Sequence, residues 1–179
     1  MEYNLRQVMN AKGCGNPRFA IVIPLIWEEN ELSLLVEVRA DGISQAGDPC
    51  FPGGKIEPGE TPRQAAAREL YEELGISADP DRFLGQLPTV HTYLGKQTDV
   101  FVCRITAEAA DRRKVSSEEV SELLRIPLQF FLKNPDAQSY AVSGGNVIWG
   151  MTAGAIRHFC DAWKQAEQMR SPQQGGTTE

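Results

Sequence analysis

The sequence predicts an α/β fold in which a β-sheet is sandwiched between helices, and three observations predict it. Four runs rich in β-branched and aromatic residues, at 19–27, 32–39, 83–90 and 99–105, have the length and composition of strands. Between the second and third runs, Thr61 to Gly75 carries the start and stop signals of a helix. Farther on, apolar residues recur at helical spacing from Thr152 to Met169, as in an amphipathic helix. Strands interleaved with a central and a terminal helix must bury their apolar faces against each other, which yields a helix-covered sheet.

Taken in order, residues 2–12 read as a short helix ended by Gly13 and Gly15. Phe19 to Trp27, FAIVIPLIW, is a buried strand in which Pro24 marks an edge or a bulge. The turn Glu28-Glu29-Asn30 leads to a second strand, Leu32 to Arg39. Ala40 to Pro49 is a polar loop with two glycines, and Phe51-Pro52-Gly53-Gly54 leads toward the central helix. There Thr61 serves as N-cap and Pro62 takes the first helical position, where a missing N–H does no harm. Gln64 to Leu70 are good helix formers, and Gly75 is the stop. Ala66, Ala67, Leu70, Tyr71 and Leu74 share one arc, which is expected to be buried. After a polar turn at Asp79 to Asp81, strands Phe83 to Val90 and Asp99 to Ile105 flank the loop His91 to Gln97. Ser117 to Leu124 reads as a short helix or turn, and Val147 to Trp149 as a short strand. The polar stretch from Ser171, SPQQGGTTE, is expected to be a disordered tail, which leaves 1–170 as a single domain.

At 179 residues the chain is long enough for one good core. A net charge of −6 argues against a general nucleic-acid surface, and it means that an anionic substrate needs local cations. The longest apolar run, Phe19 to Trp27, is too short to span a bilayer, and MEYNLRQVMNAKG lacks the apolar centre of a signal peptide. Cys14, Cys50, Cys103 and Cys160 are widely spaced and form no CxxC pair. They read as reduced thiols of a cytoplasmic protein and not as a disulfide frame or zinc site.

The chemistry concentrates in GKIEPGETPRQAAARELYEELGI, Gly54 to Ile76. Glu69, Glu72 and Glu73 stand at i, i+3 and i+4, which share one helix face. Like charges so placed repel, so the arrangement costs stability unless a cation sits there, and a divalent metal held by oxygen ligands is the natural candidate. An ordinary solvated acidic face is the alternative for a Glu-rich helix.

The surrounding pattern decides between them. The segment resembles the Nudix box: Gly54, five residues, Glu60, seven residues, then Arg68-Glu69-Leu70, any residue, Glu72-Glu73, any residue, Gly75-Ile76. A chance match at its seven fixed positions is on the order of one in a million at average residue usage. The resemblance implies an α/β/α sandwich with a mixed β-sheet, and water-driven cleavage of a diphosphate linkage with Mg²⁺ or Mn²⁺ as cofactor. It assigns metal ligation to Glu69, Glu72 and Glu73 and to the backbone carbonyl of Gly53. Arg68 is expected to orient a glutamate through a bidentate pair, while Glu60 and Gly75 serve architecture. The proton acceptor is less defined. Glu119, in SSEEVSELLRIPL, has two readings, an extra ligand or base and a helix-start acid; Glu122 is a weaker candidate.

Two flanking stretches narrow the substrate. Val38-Arg39-Ala40, Gly47 and Phe51-Pro52-Gly53-Gly54 resemble the signature before the box in coenzyme A pyrophosphatases, and Ile148-Trp149-Gly150-Met151-Thr152-Ala153 resembles the opening of their final helix. The resemblance implies cleavage of coenzyme A or a derivative to adenosine 3′,5′-bisphosphate and 4′-phosphopantetheine. Three departures stand against it: the signature's Leu-Leu-Thr positions read Leu35-Val36-Glu37, the spacer from Ala40 to Gly47 is one residue short, and it lacks the expected arginine, presenting Ile43 and Ser44. ADP-ribose or another dinucleotide is the alternative substrate, and a nucleotide-sensing module without turnover is the alternative class. Arg39 has two readings, a phosphate contact and a strand-end surface charge. Lys55 and Lys96 are each a phosphate contact or a solvated lysine, and Phe51 and Tyr93 each a ligand contact or packing. The expected partner is a small nucleotide-diphosphate molecule, with no nucleic acid or membrane, bound by a monomer or a homodimer.

Overall fold

A run as apolar as 19–27 is stable only with both of its faces covered, and it lies at the centre of the sheet. The computed structural model describes residues 1–13, 17–28, 31–92, 94–111 and 113–170. Cys14, Gly15, Tyr93, most of the turn expected at 28–30 and the tail from Ser171 lie outside the described residues.

Helix α1 (Glu2–Val8) precedes strands β1 (Phe19–Glu28), β2 (Glu31–Arg39), β3 (Pro49–Cys50) and β4 (Gly53–Lys55). Helix α2 (Pro62–Leu74) follows, then β5 (Gly85–His91), β6 (Gln97–Ile105), α3 (Ala107–Asp111), β7 (Val120–Pro127) and α4 (Leu128–Leu132). The short pair β8 (Tyr140–Ala141) and β9 (Val147–Ile148) leads to α5 (Gly150–Gln168). The seven-stranded sheet runs β3-β2-β1-β6-β5, with β4 added to β1 and β7 to β2. β1 and β6 are parallel and the other pairs antiparallel, so the sheet is mixed.

The register creates a wedge. β1 and β2 pair only from Leu25–Leu34 to Glu28–Glu31. Beyond that point β1 pairs with β4 through Phe19, Ala20 and Ile21, and β2 pairs with β3 through Glu37 and Val38. The chain from Pro49 to Lys55 therefore fills the gap between two diverging strands. Pro24 falls at the changeover and is in register with Cys103 of β6. The Val22 N–H donates to Pro52 O at 2.9 Å, so the Pro24 nitrogen, two residues on, points to the same side, where β1 has no strand partner. The proline thus sits inside a central strand, not at an edge, because its missing donor faces a gap.

Alternation along the strands builds two cores. Ile21, Ile23 and Leu25 with Leu34, Val36 and Val38 pack toward Ile156, Phe159 and Trp163 of α5. Ala20, Val22, Ile26 and Leu35 pack toward Ala66, Leu70 and Leu74 of α2. Helices cover both faces of the sheet, α1 and α5 on one and α2 and α3 on the other. None of the helices among the described residues is long and apolar enough to cross a membrane.

Three elements differ from expectation. The first helix ends at Val8, short of residue 12. Over 117–124, a turn closes where Glu119 N–H and Val120 N–H both donate to Ser116 O, and the chain from Val120 is strand β7. The open side of β2 supplies a ladder from Arg39–Val120 to Ser33–Pro127, which outweighs the local helical signal. On α2 the buried arc is rotated: Tyr71 is 61% exposed, while Ala65 and Glu73 are buried. Glu73 is drawn under the helix by a backbone donor from β4.

Candidate active site

The helix that carries the acids is well defined at both ends. Thr61 and Gln64 form a reciprocal capping box, and Gly75 closes the helix at φ 65° with its N–H donating to Tyr71 O. Gly75 also packs against the chain at Lys114, where a Cβ would meet Lys114 O at 2.7 Å.

Beneath the helix, β4 is tight against both neighbours. A Cβ at Gly53 would fall 2.4 Å from Ala20 O, and one at Gly54 would fall 2.2 Å from Glu69 Oε1. The second contact yields a prediction. In Gly54→Ala the flexible Glu69 carboxylate must move while the backbone stays. Turnover should drop on the order of 10²-fold with little change in melting temperature. Steady-state kinetics beside a thermal melt checks this, and unchanged turnover would remove Glu69 from the reaction.

Arg68 is the hub of the acids. Its Nε and Nη2 donate to the two Glu60 oxygens at 2.8 and 3.2 Å. Nη1 donates to Glu69 Oε1 at 2.9 Å and Glu72 Oε2 at 2.7 Å, and Nη2 also reaches Lys55 O at 3.1 Å. The bidentate partner is thus Glu60, while Glu69 and Glu72 share one nitrogen. The guanidinium holds the Glu60 carboxyl below its usual range, and Glu60 foremost raises the Arg68 pKa in return.

Glu73 points the other way. It is 5% exposed, and its Oε2 accepts the Gly53 N–H at 2.9 Å. Burial above all, then the charge of Glu37, raises its pKa above the ordinary 4.5. Glu37, on β2, is 1% exposed and accepts the Cys50 Sγ–H at 3.2 Å through Oε1. Its pKa is also raised, chiefly by burial, with Glu119 and Glu69 adding to the effect, and burial likewise raises Glu69. Glu119 stands exposed in the turn before β7, where its carbonyl accepts the Ala40 N–H and where the Ser116 N–H ties the loop to Glu73 O.

These shifts have a sign. Glu37, Glu69 and Glu73 bind protons more tightly folded than unfolded. Their contribution to stability is fully present below the unfolded value of 4.5 and is lost as pH rises through the raised values. Glu60, lowered by Arg68, contributes in the opposite sense, above 4.5. The metal-free protein should therefore lose melting temperature as pH climbs from about 5 to about 8, and a divalent cation should reverse the trend. A melting temperature that rises over that window without metal would contradict the buried acids.

Next to Gly53 and Gly54 opens a cavity of about 580 Å³. Arg39, Lys96, Phe19, Phe51, Trp149 and Met151 are among its lining residues. The Lys96 ammonium lies 5.0 Å from the Phe19 ring centre, and Arg39 Nε donates to Ser44 O at 2.8 Å. The Trp149 Nε1–H reaches Asp48 Oδ1 at 3.4 Å, linking the start of α5 to the 40–49 loop.

The structure thus brings Gly53, Arg68, Glu69, Glu72 and Glu73 together, sets Glu119 beside them and puts Arg39 on the adjoining cavity. The Lys55 side chain is exposed and is not among the cavity residues; its part here is the carbonyl that Arg68 grips. Glu122 shares its face with Leu124 and Ile126, the α5 side, away from the acids. Sequence reasoning missed Glu37. The available signal was an acid on the inward parity of Ser33 and Leu35 in an otherwise apolar strand.

The donor set is hard oxygen, which fits Mg²⁺ or Mn²⁺, and Glu37 Oε2 is buried with no hydrogen-bond partner among the described residues. Among the described residues no three His, Cys, Asp or Glu side chains close around one point. Arg68 holds Glu69 and Glu72 in the guanidinium pairs described above, so a cation would have to compete with Arg68 for these acids.

A NUDIX domain profile matches residues 16–142. The chain is 33% identical over 124 residues to Nudix hydrolase 3 of Caenorhabditis elegans, covering 66% of this chain and 50% of that protein. It is 33% identical over 161 residues to a probable Nudix hydrolase of Schizosaccharomyces pombe, covering 81% of this chain and 56% of that protein. The chain thus spans about half the length of these two relatives. An uncharacterized Nudix hydrolase of Yersinia pestis is 32% identical over 159 residues, covering 80% of this chain and 78% of that protein. Among solved structures, a C. elegans Ap4A hydrolase superposes with a TM-score of 0.58 at 18% identity, covering 82% of this chain and 98% of that one. The NUDIX domain of Shewanella oneidensis NrtR, complexed with ADP ribose, gives 0.57 at 18%, covering 88% and 90%. Both share the fold.

Proposed function

The chain belongs to the Nudix domain family, and on that premise we propose that it hydrolyses the diphosphate linkage of a nucleoside-diphosphate derivative, with Mg²⁺ or Mn²⁺ as cofactor. The observation that carries this reading is the meeting of the α2 carboxylates with Gly53 and Gly54 at the edge of a cavity lined by Arg39 and Lys96. Glu69, Glu72, Glu73 and the Gly53 carbonyl are the proposed ligands. When bound, the metal supplies charge neutralisation at phosphate and lowers the pKa of the attacking water. Arg68 fixes the rotamers of Glu69 and Glu72. Glu119, exposed beside them, is the proposed acceptor of the water's proton. Arg39 and Lys96 hold the phosphates, while Lys55, the last residue of β4, gives its carbonyl to Arg68. The water oxygen bonds to one phosphorus as the bridging P–O bond breaks, giving two phosphomonoesters.

Within this class coenzyme A or a derivative is the leading substrate, with adenosine 3′,5′-bisphosphate and 4′-phosphopantetheine as products. Its support is the stretch Ile148 to Ala153, whose Trp149, Gly150, Met151 and Thr152 line the cavity. A second reading, ADP-ribose, is favoured by the 40–49 loop, which brings Ser44 and Gln45 to the cavity where an extra phosphate would call for an arginine. The test is kcat/KM for coenzyme A, dephospho-coenzyme A and ADP-ribose with Mg²⁺ or Mn²⁺. Preference for coenzyme A over its dephospho form supports the first reading, and preference for ADP-ribose the second. No hydrolysis of any nucleoside-diphosphate derivative overturns both.

A further inference from the structure

Glu37 has no part in the reaction above, yet no side chain near the cluster is more anomalous. It is a carboxylate 1% exposed, with one oxygen taken by the Cys50 thiol and the other, Oε2, buried without a partner. An unpaired buried carboxylate is costly, and a proton, a buried water or a bound ion can relieve it. Its surroundings point to one of these. Glu37 faces Cys50 across the β2–β3 pair, at the floor of the wedge. Glu73 reaches into the same wedge from α2 and gives Oε2 to the Gly53 N–H, leaving Oε1. Glu37 acts electrostatically on Glu73, and Glu69 and Glu119 act on Glu37, so Glu37 sits in the field of other acids. The charge of Arg39 acts on Glu37, and its Nε donates to Ser44 O. Among the described residues no arginine or lysine is paired with Glu37, whereas Arg68 serves the outer acids.

We propose that Glu37 is an inner ligand of the metal centre, its Oε2 and the Glu73 carboxylate holding a divalent cation in the wedge between β2 and α2. The proposal rests on the metal-dependent reading above. It extends the ligand set from the helix to the strand beneath it and gives the centre a buried position as well as an exposed one. Only oxygen donors and a shared cation are required, so the ions that fit are hard divalent ones.

Mn²⁺ binding to the intact chain, measured by calorimetry and by the electron paramagnetic resonance of free Mn²⁺, tests this without reference to turnover. Glu37→Gln should lose one Mn²⁺ equivalent or bind it at least about tenfold more weakly. Its metal-free melting temperature should equal or exceed that of the wild type, because an unpaired charge is removed. The rise in melting temperature on adding Mn²⁺ should shrink. Glu37→Asp, which keeps the charge but shortens the reach, should show the same loss of affinity and serves if the glutamine variant does not fold. Unchanged Mn²⁺ stoichiometry and affinity in the variant would overturn the proposal, as expected if a buried water satisfies Oε2. A lower metal-free melting temperature with an unchanged Mn²⁺-induced rise would also overturn it, by showing a structural role. If the wild type itself binds no Mn²⁺, the metal-dependent reading fails as well, so the two failures are told apart.

Discussion

Replacing Glu73 by Gln should lower kcat on the order of 10³-fold, the rate equivalent of the several kcal/mol that a metal-held charge contributes at phosphorus. Glutamine keeps the one role of Glu73 that is visible in the fold, since its amide oxygen can accept the Gly53 N–H. What disappears is the charge. The variant should therefore fold, and its metal-free form should be at least as stable as the wild type, because a carboxyl raised by burial and by Glu37 is gone. The cation-induced rise in melting temperature should fall with kcat, while KM changes little. A nucleotide-sensing module would behave otherwise, losing metal-dependent affinity with no turnover to lose.

Arg68→Lys should cost about 1–3 kcal/mol in stability and on the order of 10²-fold in kcat. Arg68 meets Glu60 through two nitrogens while a third is shared by Glu69 and Glu72, and it also grips Lys55 O. A lysine presents one ammonium and cannot span these partners at once. Glu69 would then lose the donor that fixes its rotamer and offsets its burial. Because Arg68 is partly exposed, the stability term is discounted for solvent. Denaturant unfolding and steady-state kinetics on one preparation separate the two effects. A lysine variant with wild-type kcat would show that Arg68 serves the fold alone.

How far the sequence exposed this site depends on how local each signal was. Helix α2 was legible because its determinants lie within one segment: Thr61 and Gln64 at one end, Gly75 at the other, and three acids at helical spacing between. The grouping of Arg68 with Glu60, Glu69 and Glu72 was partly legible, since the box spacing brings them near each other. Glu37 was not. Its burial follows from the divergence of β1 and β2, a pairing between distant segments that no local pattern encodes. The same holds for Pro24, which read as an edge or a bulge until the gap opposite it was known, and for Val120 to Leu124, where the open side of β2 overrides a reading of helix or turn. Tyr71 shows the smaller version of this effect. A helical wheel places it with Leu70 and Leu74, but the wedge beneath the C-terminal half of α2 takes Glu73 instead.

In the proposed reaction water attacks phosphorus under a divalent metal held by the α2 carboxylates. Turnover of coenzyme A and of ADP-ribose in ¹⁸O-water with Mg²⁺, followed by mass spectrometry of the products, tests it most directly. Cleavage is expected at the diphosphate, with one ¹⁸O in one of the two product phosphates and no cleavage after chelation. Product without ¹⁸O at phosphorus, or the same rate in the presence of chelator, would contradict it.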